Sequence, residues 1–144
     1  MYCLDANIWV YYLDSNLPEH EAVVESVRSL LKDHPLFTTT VLQMEVIHYL
    51  KHQLDNSPPT IERFLTLEDV TVAELTTDDV RAAVDMLELS DAGIGGRDAT
   101  VIAAMNRHGV TTLWTHDRGL KRFGDQLDWL TVVDPVESRT DSLL

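Results

Sequence analysis

Short apolar runs alternate with amphipathic stretches along the chain. Met1–Leu4 is apolar and ends at Asp5, which predicts a short buried strand. Ala6–Leu13 (ANIWVYYL) reads as a short helix and Asp14–Pro18 as a turn. Glu19–Asp33 places Val23, Val27, Leu30 and Leu31 at helical spacing, with acids in the first turn where they suit the helix dipole. Leu36–Thr38 predicts a strand, and the threonines after it can cap the helix Val41–Leu54. Apolar residues cover nearly the whole circumference of that helix, so it is expected to be largely buried. Asn56-Ser57-Pro58-Pro59 ends it, and Thr60–Leu67 predicts one more helix. Val70–Leu75 is short and β-branched, a strand, and Thr76 and Thr77 cap Asp78–Leu89. Ser90–Gly96 is a loop, and Arg97–His108 is a helix closed by Gly109. Val110–Thr115 predicts a strand, His116-Asp117 a turn, Arg118–Phe123 a helical turn, and Leu130–Val133 a last strand. Strands alternating with helices over residues 1–135 predict a single α/β domain with a mainly parallel sheet. Val136–Leu144 is expected to be a flexible tail.

Four acids stand out from this pattern. Asp5 ends the first strand, and Glu45 lies early in the helix after the second. Asp98 sits in the first turn of a helix after a glycine-rich loop, and Asp117 follows Val110–Thr115. In open α/β sheets ligands bind beyond the carboxyl ends of the strands, and Asp5, Glu45 and Asp117 are close enough to reach that edge. Asp98 reaches it if its helix starts on the same side. On a helical wheel Asp98 shares a face with Val101, Ile102 and Met105, so it points inward. Glu45 falls on a narrow stripe with Val41, His48 and His52.

Taken singly, each acid has a plainer use. Asp5 can cap Ala6–Leu13, Asp98 can be a helix N-terminal acid, Asp117 a turn residue, and Glu45 can pair with His48 or Lys51. Those uses do not explain the recurrence of all four. Carboxylates that converge without enough basic partners repel, and a hard divalent cation such as Mg²⁺ or Mn²⁺ resolves that repulsion. Such a cation activates water and neutralises phosphate oxygens, so no protein nucleophile is required. The chain has neither a G-x-S-x-G elbow nor a Walker loop. Glu45-x-x-His48 has the spacing of a di-iron carboxylate helix, but bundles of that kind use two such motifs on long helices. His116 beside Asp117 offers a general acid or, more plainly, a turn histidine.

Composition narrows the setting. With 44% hydrophobic and 24% charged residues in 144, the chain has the makeup of one ordinary globular domain. Cys3 is the only cysteine, which excludes an intrachain disulfide and a Cys-based zinc site. The longest apolar runs, such as Ile8–Leu13, fall far short of the ~20 residues of a membrane helix. The N-terminus carries no basic segment, so a cytoplasmic protein without a membrane partner is expected. The net charge is −13, and only three of the 11 basic residues are lysine. Such a charge costs self-repulsion that molar salt screens, with a Debye length of about 3 Å, so a salt-rich, halophilic cytoplasm is expected. The same charge argues against loose electrostatic binding of nucleic acid. It leaves room for an enzyme that holds nucleic acid through metal ions.

The pattern resembles the PIN-domain ribonucleases, most closely the VapC-type toxins of toxin–antitoxin pairs. Five pieces carry the resemblance. They are Leu4-Asp5-Ala6-Asn7 with the apolar stretch after it, Glu45 within Gln43-Met44-Glu45-Val46, and Arg97-Asp98-Ala99 opening a helix. Leu113-Trp114-Thr115-His116-Asp117 and the short helix Arg118-Gly119-Leu120-Lys121-Arg122-Phe123 complete it. The resemblance implies a PIN-like three-layer α/β/α sandwich. It implies that Asp5, Glu45, Asp98 and Asp117 hold one or two Mg²⁺ or Mn²⁺ ions and catalyse hydrolysis of RNA phosphodiester bonds. Asn7 and Thr115 would support these acids, although a cap and a strand residue are equally open roles for them.

The resemblance also implies an antitoxin partner and a homodimer, to which Trp9, Tyr11 and Tyr12 can contribute unless the core takes them. Arg118, Lys121 and Arg122 can touch RNA phosphates or form a solvated helix end. Asp91 is an extra acid in the loop, an outer-sphere ligand or a plain loop residue. An RNA-processing nuclease of the same family and a non-catalytic PIN-like regulatory module stay open as alternatives. A phosphatase of the haloacid-dehalogenase type fits less well, because its second acid falls at Asn7.

Overall fold

Tyr2–Leu4 forms β1, and its place in the sheet sets the rest. In the computed structural model, which describes residues 1–89 and 93–138, β1 pairs in parallel with β2 (Leu36–Thr39) on one side and β4 (Thr112–Trp114) on the other. β3 (Val70–Ala73) extends the sheet beyond β2, and β5 (Thr131–Val133) beyond β4, both parallel. The order is therefore β3-β2-β1-β4-β5, and the chain reverses direction across the sheet between β1 and β4.

Alternation along the strands feeds two cores, one on each face. Leu4 and Leu36 join Ile8, Trp9, Val23, Val27, Val46, Leu50 and Phe64, while Cys3, Phe37 and Leu113 join Ala99, Ile102, Met105, Leu120 and Phe123. The first core is covered by α1 (Ala6–Leu13), α2 (His20–Asp33), α3 (Thr40–Gln53) and α4 (Pro58–Leu65). The second is covered by α5 (Thr77–Leu89), α6 (Gly96–Arg107) and α7 (Arg118–Gly124). The result is a three-layer α/β/α sandwich around a five-stranded parallel sheet.

Local chemistry explains where the helices start. Thr39 Oγ1 accepts from the Leu42 amide at 3.1 Å and caps α3. Pro58 and Pro59 do not merely end α3; they open α4, where a missing N–H costs nothing. Thr76 and Asp79 exchange backbone-to-side-chain bonds of 3.2 and 3.0 Å, a capping box for α5. Gly109, at φ 69°, lets the chain leave α6.

Two expectations change. α3 is not largely buried: it buries Leu42, Val46 and Leu50, while Met44, His48 and His52 are exposed. Its outer flank borders open grooves instead of another helix. The chain is also helical at residues 135–138, where a tail was expected from Val136, because Asp134 accepts from the Val136 and Glu137 amides at 3.0 and 3.3 Å. Trp9 lies wholly inside, edge-on to Phe64 at 5.1 Å, so it contributes to the core and not to a protein interface.

Candidate functional site

The carboxyl end of β1 lies beside the reversal point of the sheet, the place where an open α/β sheet leaves a crevice. Asp5 occupies it. Its amide donates to the Trp114 carbonyl at 2.9 Å, carrying the β1–β4 pairing one residue further. Its Oδ1 accepts from the Ala6 amide at 2.8 Å and caps α1, while Oδ2 accepts from Thr115 Oγ1 at 2.7 Å. Thr115 is completely buried and uses its whole hydrogen-bonding capacity here. Besides donating to Asp5, its hydroxyl accepts from the Asp117 amide at 3.1 Å and from Asn7 Nδ2 at 3.4 Å. Asn7 Oδ1 in turn accepts from the His116 amide at 3.4 Å. Asn7 and Thr115 thus join the segment after β1 to the segment after β4.

Asp117 caps α7, its Oδ1 accepting from the Leu120 amide at 2.9 Å, and its side chain faces solvent. Asp98 sits in the first turn of α6, whose N-terminus lies at the same edge of the sheet because α6 runs back to the start of β4. Burial, then the charges of Asp5, Asp117 and Glu45, push the Asp98 carboxyl up to about 7, against the easing effect of Arg97. Burial raises Asp5 as well, opposed by its bonds from Thr115 and Ala6 and helped by Asp117. Burial raises Glu45, with Arg97 lowering it and Asp5 raising it. The fold therefore brings the four acids into one mutually repelling group, and Asp98 feels the other three.

Two of the plainer uses are also real: Asp5 caps α1 and Asp98 is an acid in the first turn of α6, while Asp117, expected as a plain turn residue, caps α7. Glu45 pairs with neither His48 nor Lys51; its partner is Arg97, whose Nη1 lies 3.4 Å from Oε1. His48 and His52 face each other at 4.5 Å on the exposed flank of α3. Of the expected basic contacts, Lys121 is already engaged, with Nζ 2.8 Å from Asp134 Oδ2 and 3.0 Å from Glu137 Oε1. Arg118 and Arg122 are exposed. Asp91 lies outside the described residues.

One cluster escaped the sequence reading. His116 Nδ1 lies 2.8 Å from Asp134 Oδ2, and among the described residues His116, Asp134 and Glu137 are the set whose ligand atoms fall within 4.8 Å of one another. Lys121 already supplies the positive charge there, so this is a clamp joining β4, α7 and the end of β5. No three of the four candidate acids reach that spacing. Their chemistry nevertheless suits a hard divalent cation. Every donor is a carboxylate oxygen, the net local charge is negative, and burial together with the neighbouring acids holds one carboxyl up to about 7.

A family model described as PIN domain matches residues 2–126. No curated protein matches the chain. Among solved structures it is similar to VapC20 of Mycobacterium tuberculosis, a sarcin-ricin loop cleaving toxin, with TM-score 0.71 and 18% identity over 86% of this chain and 95% of that one. It is similar to VapBC2 of Rickettsia felis, solved bound to a fragment of its promoter DNA, with TM-score 0.68 and 16% identity over 92% and 97%. FitAcB of Neisseria gonorrhoeae gives TM-score 0.68 and 21% identity over 94% and 98%.

Proposed function

This chain belongs to the PIN domain family, and on that premise we propose that it is a divalent-metal-dependent endoribonuclease, the toxin of a toxin–antitoxin pair. The observation that carries the reading is Asp98, a carboxyl held up to about 7 by burial and three converging acids. A partly buried group of like charges costs stability, and function is a common reason to keep one. Asp5, Glu45, Asp98 and Asp117 would hold Mg²⁺ or Mn²⁺, with Asn7 and Thr115 fixing Asp5 and Asp117. The cation would supply an activated water and neutralise charge on the phosphate. The chain's own part is to hold the acids rigidly at the sheet edge and to leave Asp117 open to solvent for an incoming strand.

The toxin role is supported by the likeness to toxin and toxin–antitoxin structures. That role carries with it a cytoplasmic RNA substrate, an antitoxin partner and a second copy of the chain. The face available for self-association lies on α5, where Val80, Val84 and Leu87 follow helical spacing and are exposed beside Leu75. The surplus of acids supports a salt-rich setting. Incubation of the purified chain with mixed RNA should give cleavage in Mn²⁺ and none in EDTA. Intact RNA in both would end the nuclease reading.

A further inference from the structure

We infer that Arg97 is a substrate-binding residue with two alternate partners: Glu45 in the metal-free chain, and a phosphate oxygen of RNA once the acids hold a divalent cation. The inference rests on the nuclease reading above. Arg97 lies in the first turn of α6, where unpaired amide N–H groups carry partial positive charge and a cation is disfavoured. Helix stability gives no reason for an arginine there. Its guanidinium reaches across to α3 and stops 3.4 Å from Glu45 Oε1, a single loose contact. With the Arg97 side chain 73% exposed, such a pair is weak and readily exchanged.

Arg97 directly precedes Asp98 in the chain and reaches Glu45 on α3, so its side chain stands beside two of the four acids. It also stands where two grooves meet. One is lined by Thr40, Val41, Met44, Glu45 and His48, the other by apolar residues of α5. A strand of RNA lying in the first groove brings its phosphates within reach of this guanidinium. In a chain of net charge −13 the exposed Arg118 and Arg122 follow Asp117 and Lys121 is committed to Asp134 and Glu137, which leaves Arg97 as the cation beside Glu45. Guanidinium is suited to the exchange because its planar fork matches a phosphate as well as a carboxylate.

The test compares wild type with Arg97→Gln and Arg97→Lys. Mn²⁺ binding is read by titration calorimetry without RNA, and kcat and KM by cleavage of a fluorescent single-stranded RNA at saturating Mn²⁺. Arg97→Gln should bind Mn²⁺ several-fold more tightly, since the competing cation is gone, and raise KM about tenfold with kcat within about twofold. Arg97→Lys should keep the competition with Mn²⁺ and recover KM only in part, because an ammonium cannot fork. Wild-type cleavage with Mn²⁺ affinity or KM unchanged in Arg97→Gln overturns the inference and leaves the nuclease reading standing. Absence of cleavage by wild type removes that reading and this inference with it.

Discussion

Asp98 keeps its proton in the folded chain over a range where the unfolded chain has lost it, since its carboxyl is raised from 3.8 to about 7. Between those values the native state binds more protons, so stability falls as pH rises through the window and levels off above it. Asp5 and Glu45, also raised, act in the same direction. Asp79 and Asp134 are lowered, and what they contribute is fully present above the ordinary carboxylate range and lost only at strongly acidic pH. The metal-free chain should therefore melt at a higher temperature near pH 5 than near pH 8, by a few degrees, roughly. Asp98→Asn should flatten that fall and leave the protein more stable than wild type near pH 8. Melting curves in EDTA read both effects, and an unchanged slope in the variant would assign the pH dependence to other groups.

At the scale of elements, α5 and α6 are tied by one buried acid. Asp79 closes the capping box with Thr76 and receives Arg107 Nε and Nη2 at 2.8 and 3.0 Å, while Nη2 also reaches the Glu74 carbonyl. Asp79→Ala should cost about 2 kcal/mol in urea unfolding, through the lost cap and fork, and leave Mn²⁺ affinity unchanged. A matching loss of Mn²⁺ binding would mean that this junction supports the acid cluster.

The elements were legible because their signals are local. Apolar runs marked β1, β2 and β4, threonines marked the starts of α3 and α5, and Gly109 marked the end of α6. The inward face of Asp98 followed from the helical spacing of Val101, Ile102 and Met105, all buried. The surroundings of α3 were not legible, since periodicity counts apolar side chains but does not say which side meets a neighbour; Met44 is 58% exposed. The partners of Glu45, Lys121 and His116 were hidden for a related reason. Arg97 and Asp134 come from distant turns of the chain, and nothing in local spacing points to them.

For the molecule as a whole, charge and apolar surface make opposite demands. A net charge of −13 opposes folding and association at low ionic strength, and screening relieves both. Melting temperature should rise between dilute buffer and molar KCl; a flat or falling response would remove the salt-rich setting. In the same salt, light scattering should report a dimer that Val84→Glu dissociates, with folding stability changed by less than about 0.5 kcal/mol. A wild type that stays monomeric at every concentration would leave the α5 face to another partner. The chain's proposed chemistry depends on four carboxylates at one sheet edge acting together on RNA. Its most direct test is the rate of RNA cleavage by Asp98→Asn beside wild type, at matched protein and Mn²⁺ concentration and with folding checked by circular dichroism. Wild type should cleave and the folded variant should not; cleavage by Asp98→Asn at the wild-type rate would contradict a shared acid site.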